Sequence, residues 1–156
     1  MKVEYINPII EAVYDFFVNV LDSEVKRGDV GITRELPPNR DVIALIGISG
    51  QVKGIVTLAF PVTTALAVVG KMVGKEVKML DDAVKDSVSE IVNIVAGNAR
   101  TKLNENLGAN IELSLPTVVR GNNYSIEYPS HAVWLDVPFE SDLGPFALRV
   151  TFGSIE

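Results

Sequence analysis

The sequence predicts an α+β fold, layered as in α/β proteins. In it, a helix-plus-three-strand unit is duplicated with pseudo-twofold symmetry, and a mainly antiparallel sheet is flanked by two long helices. Three observations lead there. Apolar residues recur at helical spacing in two long segments, one opening each half of the chain. Each segment is followed by short runs of strand character punctuated by Gly, Pro, Asn and Ser. Two of those runs also read alike, Gly54-Ile-Val-Thr-Leu-Ala-Phe60 and Phe146-Ala-Leu-Arg-Val-Thr-Phe152.

In the first half, Ile6, Ile9, Ile10, Val13, Phe16, Phe17, Val20 and Leu21 make one apolar side of a helix over Tyr5 to Leu21, with Glu11 and Asp15 facing elsewhere. A stretch of strand character follows, Glu24 to Glu35, and then the Pro37-Pro38-Asn39 turn. Val42 to Ile48 and Val52 to Phe60, joined through Ser49-Gly50-Gln51, read as a hairpin. Pro61 opens a short helix over Thr63 to Val73.

The second half begins with the longest helix, Asp81 to about Leu107. Asp81, Asp82 and Asp86 suit the positive end of its dipole, and Gly108 suits its termination. Strand-like pieces then run over Ile111 to Leu115, Thr117 to Arg120, Tyr124 to Tyr128, Ala132 to Val137 and Phe146 to Phe152. No linker, low-complexity tract or charge block divides the chain. The expectation is a single domain over residues 1–156, with an internal repeat of about 5–60 and 81–153.

Composition narrows the function. The chain has 156 residues, 47% hydrophobic and 22% charged, and no cysteine. At this length roughly 70% of the unfolded surface leaves water on folding, so no disulfide or metal staple is needed. Fourteen basic against twenty acidic residues leave a net charge of −6, which makes nucleic acid and anionic membrane poor partners. The charge-free stretch from Gly54 to Gly70 holds Pro61, Thr63 and Thr64, and reads as a strand and a helix rather than a membrane span. Glu4, Glu11 and Asp15 interrupt the amino-terminal segment, so it is no signal peptide, and a cytoplasmic protein is expected.

On the long helix, Val84, Val88, Ile91, Val92, Val95, Ala99 and Leu103 gather on one side. Opposite runs a polar stripe of Asp82, Asp86, Glu90, Asn93, Gly97, Arg100 and Asn104. Such a stripe is also the ordinary solvent face of a core helix. Against that stand Asn93 and Gly97, both poor helix formers on a face where Lys, Glu or Ala would cost nothing. Gly97 in addition removes the side-chain bulk that would hold a partner away.

What the chain lacks limits the chemistry. His131 is the sole histidine, and there is neither cysteine nor a Gly-rich phosphate loop, which argues against a two-histidine metal site and against Ser/His or Cys/His nucleophiles. Three carboxylates along a helix more often face water than hold a cation, and no metal site is expected. Glu90 and Asn93 together offer something else. The acid accepts from a cationic side chain, while the neutral amide, donor and acceptor on one plane, orients a water.

Asp86-x3-Glu90-x2-Asn93, followed by 22 intervening residues and Pro116, matches the signature of the CheC/CheX/FliY chemotaxis phosphatases. The run Ser89-Glu-Ile-Val-Asn-Ile-Val-Ala-Gly-Asn98 is similar to their helix, and the repeated layout extends the resemblance over essentially the whole chain. Chain length and a single intact signature point to the CheX branch. The resemblance implies hydrolysis of the aspartyl phosphate on the response regulator CheY. Glu90 would pair with the regulator's lysine and Asn93 would place the attacking water, with Asp86 and Pro116 at supporting positions; Gly97 joins them as a partner contact on the clearance argued above. It also implies no cofactor of the chain's own, Mg²⁺ being held by the regulator, and a homodimer whose contact is expected in the region Gly121 to Ser130. A non-enzymatic module that docks a response regulator or a flagellar-switch partner through the same stripe is the alternative.

The first half carries a broken copy, Asn7-x3-Glu11-x2-Tyr14, again with 22 residues before Pro37. A phenol lacks the paired donor and acceptor of the amide, and its ring suits burial, so Glu11 and Tyr14 read as a decayed, structural site. His131 reads as an ordinary surface or core residue. Tyr124, Tyr128 and Trp134 read as strand residues packed on a face, and Pro116 as a strand start or edge.

Overall fold

The computed structural model describes residues 3–33, 42–120 and 133–153. Helix α1 (Val3–Asp15) buries Ile6, Ile9, Ile10, Ala12 and Val13 and turns Glu4, Asn7 and Glu11 outward. It then widens into a π turn, Phe16–Val20, in which the Leu21 N–H donates to the Phe16 carbonyl at 3.2 Å. The wider turn buries the consecutive Phe16 and Phe17, and Phe17 stacks on Phe146 with ring centroids 4.5 Å apart. This corrects the uninterrupted helix to Leu21. A 3.6-residue period carries Val20 inward, whereas after the π turn it is 54% exposed.

Strands β1 (Val25–Arg27) and β2 (Gly31–Thr33) come next, then the hairpin β3 (Val42–Gly50) and β4 (Gly54–Phe60). Helix α2 (Val62–Val73) starts after Pro61 and ends at Gly74, whose φ of 76° is left-handed. Helix α3 (Asp82–Leu107) follows, and then β5 (Ile111–Leu113), β6 (Thr117–Val119), β7 (Trp134–Ser141) and β8 (Phe146–Phe152). The expected strand Tyr124 to Tyr128, His131, Pro37 and the region Gly121 to Ser130 lie outside the described residues.

The strands form one antiparallel sheet in the order β1-β7-β8-β4-β3-β5, with β2 also on β7 and β6 also on β3. The two halves meet at β4 and β8, and each lends its short strands to the other's edge. Thr57 and Arg149, each the fourth residue of its strand, pair directly across this junction. The sheet is therefore arranged almost identically about that pair.

Both edges are interrupted in the same way. From Arg27 to Gly31 the edge advances four residues while β7 advances three, Phe139 to Asp136; from Leu113 to Thr117 it advances four while β3 advances three, Ile48 to Leu45. One extra residue on each edge is a bulge. The expected strand over Glu24 to Glu35 is accordingly two, and among the described residues each half holds two short and two long strands rather than three. At the first bulge the Gly28 N–H donates to the Pro138 carbonyl at 2.7 Å, and Pro138 has no N–H to return. Because Pro138 needs only to accept there, β7 runs through it to Ser141, past the Val137 end read from the sequence.

Helices α1 and α3 pack on each other and flank the sheet from one face. Their apolar sides meet Val42, Ala44, Ile46, Val56, Leu58, Phe60, Val137, Phe139, Leu148 and Val150, the alternate residues of the four long strands. Burying each large side chain contributes about 1.5–3 kcal/mol, so this layer fixes where the outer side of α3 points.

Candidate functional site

Helix α3 is held at both ends. The Asp81 carboxylate accepts from the Val84 N–H at 2.9 Å, and Gly108, at φ 63°, donates its N–H to the Leu103 carbonyl. Between these caps Val84, Val88, Ile91, Val92, Val95, Ala99 and Leu103 are buried, as their spacing predicts. Asp86, Glu90 and Asn93 are exposed on the opposite side, and Gly97 is half-buried. Steps of four, three and four residues align these four positions, with Glu90 and Asn93 about 4.5 Å apart along the axis.

Glu90 carries no ion pair among the described residues. An exposed carboxylate with no internal cation is available to a cation from outside, and the exposed amide beside it is available to water. At Gly97, an added Cβ would meet no heavy atom within 4 Å. A glycine inside a helix costs roughly 1 kcal/mol relative to alanine, and among the described residues no neighbour crowds that position.

Asn104 departs from the stripe read in the sequence. Its Oδ1 accepts from the Ile111 N–H at 3.2 Å, which ties the end of α3 to β5 and takes the side chain out of the open face. Pro116 sits in the bulge between β5 and β6, the edge on which α3 packs. In the same bulge the Ser114 N–H donates to the Gly47 carbonyl at 3.0 Å and Ser114 Oγ accepts from the Gly47 N–H at 2.8 Å. Among the described residues no group of three or more His, Cys, Asp or Glu is placed to hold a metal ion, and Asp82 and Asp86 stay two exposed carboxylates.

Copy one on α1 keeps the acid, Glu11, but sets it among different neighbours. Tyr14 is half-buried, its ring edge-on to Phe139 at 5.8 Å, and its hydroxyl accepts from the Arg27 N–H at 3.1 Å. Glu11 and Asp15 share Lys102 of α3, at 3.7 and 3.1 Å, and Asn98 Nδ2 donates to Asp15 Oδ2 at 3.3 Å. Those carboxylates hold the Lys102 ammonium above its usual pKa, chiefly through the hydrogen bond to Asp15, against the opposing effect of burial. Sequence reading missed this network because it joins two helices nearly ninety residues apart, and no local spacing signals their contact.

The fold is that of the CheC-like superfamily. A protein of that superfamily from Shewanella sp. PV-4 superposes with a TM-score of 0.87 at 30% identity, over 99% of this chain and 100% of that one. Residues 42–140 match the family described as chemotaxis phosphatase CheX. The chain is 32% identical over 139 residues, 88% of each protein, to the CheY-P phosphatase CheX of Thermotoga maritima. It belongs to the CheX family. The Borrelia burgdorferi complex of CheX with CheY, BeF3 and Mg²⁺ contains a chain that superposes with a TM-score of 0.82 at 26% identity, over 98% of this chain and 100% of that one.

Proposed function

We propose that this chain hydrolyses the aspartyl phosphate of a CheY response regulator through the exposed side of α3. The observation that carries the reading is the acid–amide pair, Glu90 and Asn93, one turn apart and both turned to solvent. Kinship with the Thermotoga CheY-P phosphatase and with the CheX of the Borrelia complex gives the substrate class.

In this reading Glu90 grips the lysine of the regulator's phosphorylated pocket and sets the orientation of the encounter. Asn93 then holds a water in line with phosphorus. The water oxygen bonds to phosphorus, the bond from phosphorus to the aspartyl oxygen breaks, the carboxylate is regenerated and inorganic phosphate leaves. Acyl phosphates are already labile, so positioning the nucleophile is most of what a catalyst must add. The Mg²⁺ belongs to the regulator, and the chain brings no cofactor of its own. Asp86 adds negative charge one turn before Glu90, Gly97 leaves clearance for the partner's surface, and Pro116 sets the edge beneath the helix.

The same reading takes residues 1–156 as one domain of two repeated units, acting in the cytoplasm as a homodimer. No helix among the described residues is long and apolar enough to cross a membrane.

The test is release of inorganic phosphate from acyl-phosphorylated CheY with and without the protein. Acceleration is expected. An unchanged decay together with measurable binding would leave only a docking module.

A further inference from the structure

Outside the stripe, the described residues hold one other cluster of interacting charges between helices, that of Lys102 with Glu11 and Asp15. Its place is informative. Glu11 stands in α1 where Glu90 stands in α3, each four residues after a polar residue (Asn7, Asp86) and three before the amide position (Tyr14, Asn93). Glu11 meets Lys102 while Asp15 meets Asn98, so the helices run antiparallel and the two copies lie at opposite ends of the pair. Lys102 is twelve residues from Glu90, about 18 Å along α3, too far to reach it. One acid therefore has a lysine of its own chain, and the other has no cation partner among the described residues.

We propose that Lys102 occupies Glu11 from within the chain as the regulator's lysine would occupy Glu90, and so confines docking to the α3 copy. The inference rests on the docking role of Glu90 proposed above. Three features support it. The Glu11 side chain is 61% exposed, so burial does not keep a partner away. Tyr14 is drawn down onto β1 and Phe139, and does not stand as an exposed neighbour of Glu11. Lys102 is only 25% exposed, and is braced between two carboxylates one helical turn apart, one of them also held by Asn98. That bracing favours its charged form, as the raised pKa reflects. A second lysine arriving at Glu11 would meet a like charge held in place by Asp15.

Binding of beryllofluoride-activated CheY to the full chain tests this. Glu90→Lys alone is expected to weaken binding at least about thirtyfold, as loss and reversal of a docking charge does. Adding Lys102→Met should recover about tenfold or more of that loss, and adding Glu11→Gln as well should abolish the recovery. Phosphate release should not return with binding, because copy one has no amide. If the folded Glu90→Lys/Lys102→Met protein binds no better than Glu90→Lys, the inference about Lys102 is overturned and the role of Glu90 stands. If Glu90→Lys itself binds like the parent, the docking reading falls first. Should methionine at 102 cost the cooperative melt, Lys102→Gln takes its place with the same expected outcomes.

Discussion

The Arg27 backbone N–H donates to the Tyr14 hydroxyl at 3.1 Å, so the side chain at the amide position of copy one is a brace to the sheet edge. Its counterpart in the repeat, Asn93, is exposed on α3. Two equivalent helical positions thus serve packing in one half and the open surface in the other. Tyr14→Phe keeps the ring against Phe139 and removes only the acceptor. It should cost about 0.5–1.5 kcal/mol in urea unfolding and leave phosphate release from CheY unchanged.

Gly97→Ala separates stability from docking. With no heavy atom within 4 Å of the added Cβ, the helix should gain up to about 1 kcal/mol and the melting temperature should rise. Affinity for activated CheY should fall nonetheless, with a further loss for Gly97→Leu. A rise in stability with unchanged affinity would remove Gly97 from the contact.

Lys102 gives a pH signature. Its pKa in the folded chain lies above the ordinary 10.5, so its stabilising contribution is complete below that value and fades as pH rises through the folded pKa. Lys102→Met should therefore be less stable than the parent by a constant amount around neutral pH, and that difference should shrink above about pH 10.5. Chemical denaturation along an alkaline series measures it.

Asp81→Ala removes the cap at the start of α3. A loss of about 1 kcal/mol is expected, seen as a melting temperature lower by a few degrees, while turnover per folded molecule is kept, since the acid–amide pair lies more than two turns farther along.

Much of this arrangement was legible in the chain because local physics dictates it. Val84 through Leu103 repeat at helical period, Asp81 and Gly108 mark the ends, and the steps from Asp86 to Gly97 follow one face. Other features depend on partners distant in sequence. The π turn at Phe16–Val20 goes with burying two adjacent phenylalanines, Phe17 stacked on Phe146 and Phe16 edge-on to Phe17, which no period in α1 announces. The broken edge strands depend on Pro138 and Gly47 across the sheet. Asn104 looks like any exposed polar residue until Ile111 is seen to need an acceptor. The Lys102 cluster is the clearest case, since nothing local to Lys102 on α3 points to Glu11 and Asp15 on α1.

The most direct measurement is the dephosphorylation rate of CheY-P at saturating protein for Asn93→Ala beside the parent, with affinity for beryllofluoride-activated CheY taken on both. Loss of the water-positioning amide predicts a rate lower by about a hundredfold or more with affinity nearly unchanged. Parental turnover in the folded variant would contradict the assignment of the attacking water to Asn93.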